Sequence, residues 1–328
     1  MRNVWKVMIV VGLLLVATSS IAGEFRAADQ VYLPAVARTG GGGGAFFVTD
    51  VFISNVSTQT VDVWVAYLPT GATNDNSALP ASAIKLPTPL APGERREYVD
   101  VAKSLLNLDS ANGYLIFFAC RTGGDCSDCD TNPADCELIT VEGRIYNQVT
   151  AGDGSVSTFG QLFPGIPWYL YNSMNSANLG LDKVFITGIR NTGAVGVSGY
   201  RTNIGLVNSS QFSSTQLQLT LFDASGNVVG APALVSLGPL AHTQQPVTNF
   251  FPGFAGSGAF VVIQQLTATP VATPPAGCED GCPGYLAYGS MLDNVTSDPT
   301  TLEAQFSQAL DVTCVFGAKA PHRMVNHP

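Results

Sequence analysis

The chain has 328 residues, of which 46% are hydrophobic and only 12% charged, and 15 Lys and Arg stand against 24 Asp and Glu for a formal net charge of -9. The length suits about two ordinary domains, and the charged fraction is about half the usual ~25%. This balance argues against a nucleic-acid binder, which needs clustered Lys and Arg, and against a disordered chain, which is more charged and less apolar.

Arg2 and Lys6 flank the start of an apolar run from Val7 to Ala17, and Thr18-Ser19-Ser20-Ile21-Ala22-Gly23 follows. A basic start, a short apolar stretch and small residues at Ser20 and Ala22 read as a cleavable signal peptide over residues 1–22. A spanning helix needs about 20 apolar residues, more than this run supplies. The expected mature chain is exported to the extracellular space, the cell surface or the periplasm, with no membrane span and no nucleic-acid partner. Residues 315–328 read as a disordered tail.

The rest of the chain matches itself. Val31 to Gly40 lies on Val184 to Gly193, and at the same offset Thr49-Asp50-Val51-Phe52-Ile53-Ser54-Asn55 lies on Thr202-Asn203-Ile204-Gly205-Leu206-Val207-Asn208. Leu90-Ala91-Pro92 then matches Leu237-Gly238-Pro239, Gly113 to Ile116 matches Gly258 to Val261, and Gly143 to Thr150 matches Gly289 to Thr296. The expectation is two homologous domains, 28–170 and 184–314, joined by a linker at 171–183.

Each repeat carries period-two patterns. Val61, Val63, Val65 and Tyr67 alternate with Asp62, Trp64 and Ala66, and Leu217, Leu219 and Leu221 alternate with Gln216, Gln218 and Thr220, as strands with one buried face do. Gly and Pro turns punctuate the runs. Leu68-Pro69-Thr70-Gly71 reads as such a turn. Only Val101 to Leu108, matched by Phe250 to Phe254, reads as a short helical turn. The expected fold is all-β: two tandem immunoglobulin-like antiparallel β-sandwich domains after the signal peptide.

Cysteines gather in the same connection of each repeat. Cys120, Cys126, Cys129 and Cys136 fall in an insertion at 120–137, and Cys278 and Cys282 in one at 267–283. In an exported chain these are disulfide candidates. Cys120 with Cys136 would staple the hairpin base and leave Cys126 with Cys129 at its tip, though four cysteines allow three pairings. Cys278 with Cys282 would close a small loop. Cys314 is left over: free, paired between chains, or joined to one of these sets. Cys126-x-x-Cys129 also resembles half of a zinc site, but no His lies near. Asp128, Asp130, Asn132 and Asp135 sit in the same acidic loop as candidate calcium ligands. Pro133 replaces the glycine that a calcium loop needs, and the plainer reading is a solvated acidic tip.

Little else suggests chemistry. The histidines are His242, His322 and His327, and no nucleophile elbow, zinc-protease motif or phosphate loop occurs. His242 reads as structural. The run Gly40 to Gly44 precedes a strand rather than a helix, so it is a flexible loop and no phosphate cradle. Trp64 is the candidate exposed aromatic for stacking a sugar. Trp168, Tyr169 and Tyr171 read as packing at the join. Asn55-Val56-Ser57, Asn208-Ser209-Ser210 and Asn294-Val295-Thr296 have the form of glycosylation sequons.

Val31 to Ala37, Phe47 to Asn55 and Tyr200 to Asn208 resemble the opening of uncharacterised secreted bacterial tandem β-sandwich (immunoglobulin-like) proteins. The resemblance implies export and tandem sandwiches and brings no active site. The functional expectation is a non-catalytic structural or adhesion protein, with a protein or glycan partner at the cell surface and no cofactor. The alternatives are a carbohydrate- or calcium-binding module and a self-associating filament subunit.

Overall fold

The computed structural model describes residues 27–71, 73–74, 79, 83–124, 134–150, 153–168, 183–271, 273–274 and 283–307. The signal-peptide segment 1–22, the tail 315–328, Tyr169, Tyr171 and all of the linker except Lys183 lie outside them.

The chain is all-β with antiparallel sheets. The N-terminal half holds β1 (Gln30–Gly40), β2 (Phe46–Asn55), β3 (Val61–Pro69), β4 (Ile84–Lys85), β5 (Arg95–Tyr98), helix α1 (Val101–Ser104), β6 (Ala111–Arg121), β7 (Ile139–Thr150), β8 (Val156–Pro164) and β9 (Ile166–Pro167). The C-terminal half holds β10 (Lys183–Asn191), β11 (Tyr200–Asn208), β12 (Ser213–Phe222), β13 (Ala233–Leu237), β14 (His242–Pro246), α2 (Val247–Phe250), β15 (Gly256–Pro270), β16 (Tyr285–Asp293) and β17 (Pro299–Ser307).

Both halves are wired alike. One layer runs β4-β3-β6-β1 and the other β5-β2-β7-β8; in the C-terminal half the layers run β13-β12-β15-β10 and β14-β11-β16-β17. What differs is the corner that joins the layers. The N-terminal half closes through β1 on β2, the C-terminal half through β10 on β17. Each pair of layers encloses apolar side chains, Val31, Leu33, Val51 and Phe117 among them in the first half and Ile186, Leu206, Leu219 and Val261 in the second.

The matched residues do matched work. Strand β1 slips register between Leu33 and Val36, and β10 between Ile186 and Ile189. Such a bulge leaves backbone groups without a ladder partner. In the first half Ala37 N donates to Thr49 Oγ1 at 2.8 Å and Thr49 Oγ1 donates to Ala37 O at 2.9 Å. In the second, Arg190 N and O are held by Thr202 Oγ1 at 3.1 and 2.8 Å. Gly143 and Gly289 sit opposite Val51 and Ile204. A Cβ on Gly143 would fall 2.7 Å from Leu33, and one on Gly289 3.0 Å from Ile186. Glycine there lets the two layers approach.

The sequon asparagines are turn locks. Asn55 and Asn208 end their strands fully buried. Asn55 Nδ2 donates to Gln59 O and Leu90 O at 2.8 and 3.0 Å, and its Oδ1 accepts from Ser57 N. Asn208 Nδ2 donates to Ser213 O and Gly238 O at 2.7 and 2.8 Å, and its Oδ1 accepts from Ser210 N. Asn294, also buried, donates to Gly193 O. A glycan on any of these amides would cost those bonds. Asn208→Ala leaves buried carbonyls and an N–H unmatched, at about 1–3 kcal/mol for each. Urea denaturation is expected to show a loss of about 3 kcal/mol or more, with Asn55→Ala similar; a variant as stable as the parent would remove the turn-lock role.

Three sequence expectations shift. Ala66, placed on the wetter face of β3, is buried, Leu68, read as part of a turn, is a buried residue of the strand, and Tyr67, placed on the buried face, is only partly buried. The loop beyond β3 returns Leu79 and Leu86 to the same apolar cluster, so both faces are covered. The helical turns are shorter than 101–108 and earlier than 250–254, ending at Ser104 and Phe250. Strand β15 continues to Pro270, into the segment read as an insertion from Thr267. Among the described residues no helix is long and apolar enough to cross a membrane.

Candidate functional site

The two halves meet face to edge. Alternation along β11 turns Thr202, Ile204 and Leu206 into the second core and Arg201, Asn203, Gly205 and Val207 outward. Register places Leu292, Ser290, Tyr288 and Leu286 of β16 beside that outward row, and Pro246, Gln244 and His242 of β14 on its other side. This outer face covers β1, β6 and β8 of the first half. Val207, Leu286, Tyr288 and Leu240 join the first half's apolar cluster.

A polar and aromatic seam runs through the contact. Tyr32 stacks on Tyr114, Tyr114 meets His242 at 5.8 Å, His242 stacks on Tyr288, and Phe163 meets Tyr288 edge-on at 5.3 Å. A Cβ on Gly205 would collide with the Tyr288 ring, so glycine is what lets that ring lie across β11. Tyr114 Oη donates to Leu240 O at 2.9 Å. The turn after β3 docks through Gly71 N, which donates to His242 O at 2.8 Å. Gln161 Nε2 donates to Ser290 Oγ, and Thr301 Oγ1 donates to Leu162 O.

His242 is locked in this seam at 1% exposure. Its Nε2 lies 2.9 Å from Tyr288 Oη, and its Nδ1 2.6 Å from Thr70 Oγ1. Tyr288 donates its proton to Gln244 Oε1, so its oxygen accepts from His242 Nε2–H, and Thr70 donates to Nδ1. Burial pushes the imidazole down to about 3 and raises the Tyr114 and Tyr288 hydroxyls. His242 is therefore neutral over the physiological range and has no free nitrogen for catalysis.

Beside the seam a cleft of about 280 Å³ opens between the halves. Gly40 to Gly42 form part of its rim, so the glycine run packs at the join, with Ser297 Oγ donating to Gly42 O at 3.3 Å. Phe47 and Phe163 line it from the first half, and Arg201, Asn203, Gln244 and Ser290 from the second. Arg201 Nη1 donates to Asn294 Oδ1 at 3.0 Å and to Asp293 O at 3.5 Å, and Nη2 to Ser297 Oγ at 3.5 Å. Among the described residues no carboxylate forms an ion pair with it, though the Asp293 charge acts on it from nearby. Burial lowers its pKa. The cleft is thus equipped to bind, with donors, acceptors and apolar surface.

The residues singled out from sequence do not converge on this cleft. Trp64 is half-buried on β3, opposite Lys85 of β4, whose Nζ lies 5.8 Å over its ring. Trp168 is buried in the first half and donates to Asp29 Oδ1 at 2.9 Å, so it packs its own half. Cys120 and Cys136 face each other as an antiparallel bridge pair at the base of their hairpin. Asp135 lies beside them, its carbonyl accepting from Arg121 N. Cys126, Cys129, Asp128, Asp130, Asn132, Cys278, Cys282 and Cys314 lie outside the described residues. The cleft residues went unnoticed because each repeat looks complete alone. The available signal was the polar pair Arg201 and Asn203 on the outer face of an otherwise apolar strand.

In comparisons with known proteins, no family model and no curated protein matches the chain.

Proposed function

We propose that this is an exported, non-catalytic structural or adhesion protein built from two duplicated immunoglobulin-like sandwiches fused into one rigid body. The observation that carries the reading is the seam: its polar groups and its histidine are consumed in joining the halves. Duplication is supported by the shared wiring and by Thr49 and Thr202, and Asn55 and Asn208, making the same bonds at matched positions. Export is supported by the residues 1–22 pattern. It also fits Cys120 and Cys136 forming a disulfide, which their facing positions favour.

The test is expression of the full chain in a bacterial host with an oxidising periplasm. N-terminal sequencing of the exported product should begin at Gly23, and non-reduced peptide mapping should recover the Cys120 and Cys136 peptides linked. A product that stays in the cytoplasm and retains residues 1–22 would overturn the export reading. An exported product with those two peptides unlinked would overturn the disulfide.

A further inference from the structure

We infer that the cleft between the halves is a binding site for a carboxylate-bearing sugar. The inference deepens the adhesive side of the proposed function and rests on it. The coupling of the halves stands or falls separately, by unfolding.

The argument begins with Arg201. Its guanidinium is half-buried, lines the cleft, and makes no ion pair among the described residues; the nearby Asp293 charge offsets its burial only in part. A partly desolvated cation is costly unless an anion meets it. Asn294, itself 1% exposed and anchored to Gly193 O, holds the guanidinium from one side. The side chain is therefore positioned before any ligand arrives. A planar fork of N–H donors suits a carboxylate.

The rest of the lining selects a hydroxylated partner. Asn203 stands between Arg201 and Gly205 on the outward row, and among the described residues its side chain makes no hydrogen bond. Gln244 Oε1 is taken by Tyr288 Oη, which orients the amide and leaves its NH2 for a ligand. Amides supply both donors and acceptors, as an array of hydroxyls requires. Phe47, only partly buried, offers apolar surface for the C–H face of a ring, over a floor that includes the fully buried Phe163. The volume of about 280 Å³ lies just below the ~300–1,000 Å³ usual for small-molecule sites, enough for a single ring.

Two features favour a carboxylate over a phosphate or a polyanion. Arg201 is the only cation among the described residues that line the cleft. The protein as a whole carries a formal charge of -9, which repels a strongly charged chain, so recognition has to be local and of a single charge.

The test is NMR titration of the full mature protein with galacturonate, glucuronate and N-acetylneuraminate, and with galactose and acetate as controls. At least one acidic sugar should bind, and galactose and acetate at least tenfold more weakly. Arg201→Gln should weaken the acidic sugar at least tenfold. Asn203→Asp places a repelling charge in the cleft without touching the Asn294 contact, and should also abolish binding while near-ultraviolet circular dichroism stays native. Failure of all three sugars to bind folded protein overturns the proposal. So does binding that Asn203→Asp leaves intact. Acetate binding as well as the sugar would refute the saccharide assignment. If binding fails while the halves still unfold together, the site is wrong and the fused-body reading survives.

Discussion

Leu240→Ala is expected to cost about 2–5 kcal/mol, the usual range for truncating a fully buried leucine, and to loosen the two halves from one another. Leu240 follows the Gly238-Pro239 turn of the C-terminal half, yet its side chain is 0% exposed within the N-terminal half's apolar cluster. Its backbone is tied on both sides of the join: N donates to Ser210 O at 2.9 Å, and O accepts from Tyr114 Oη at 2.9 Å and Asn74 Nδ2 at 3.2 Å. It also holds a φ of 53°, in the left-handed region that leucine avoids. Packing and strain therefore oppose each other at one residue. Leu240→Gly removes the same side chain but fits that backbone, so it should be no more destabilising than Leu240→Ala. Calorimetry should show one transition for the parent and a lower, split transition for Leu240→Ala. A single transition at the parent temperature would mean that the halves are not joined through this residue.

How much of this was legible depended on whether one repeat sufficed to explain it. The alternation of β12 was readable because Leu217, Leu219 and Leu221 answer to a core within their own half. The Thr49 and Asn55 pattern was visible as a repeat, but its cause was not. A threonine that fills a bulge and a buried asparagine that closes a turn look, in sequence, like ordinary strand-end residues, and Asn55-Val56-Ser57 looks like a sequon. Cys120 facing Cys136 followed from their being at opposite ends of one hairpin. The cleft left only the polar pair Arg201 and Asn203 as a trace in the sequence. Arg201 and Asn203 become neighbours of Phe47 and Phe163 only after one sandwich docks on the edge of the other, and no local pattern encodes docking. Leu240 shows the same limit in the backbone: a left-handed residue is anticipated at glycine or asparagine, and a leucine gives no warning.

The same docking makes the protein acid-sensitive through His242. Its folded value of about 3 lies below the ordinary 6.5, and the cause is burial, with no carboxylate among the described residues offsetting it. Between those two values the unfolded chain binds a proton that the native protein refuses. Stability should therefore be level above about pH 6.5 and fall as the pH drops toward 3, by about 1.4 kcal/mol per pH unit once fully developed. Over the whole window this is on the order of 5 kcal/mol, comparable to the ~5–15 kcal/mol stability of a typical protein. The hydrogen-bond network offers partial relief, since Thr70 Oγ1 also lies 3.2 Å from Asn112 Oδ1 and its proton can turn there. That frees the Thr70 oxygen to accept from a protonated Nδ1, but it does nothing for the burial of the charge. Because His242 sits on the join, the first response to acid is expected there, as a loss of coupling between the halves. Urea unfolding from pH 4 to pH 8 separates this from the general effect of carboxylates. His242→Gln should be less stable than the parent at neutral pH, where it loses the bonds to Thr70 and Tyr288, yet lose stability less steeply in acid, by about one proton's worth of slope. The two stability curves then converge as the pH falls. Parallel curves would show that His242 is not the group through which acid acts.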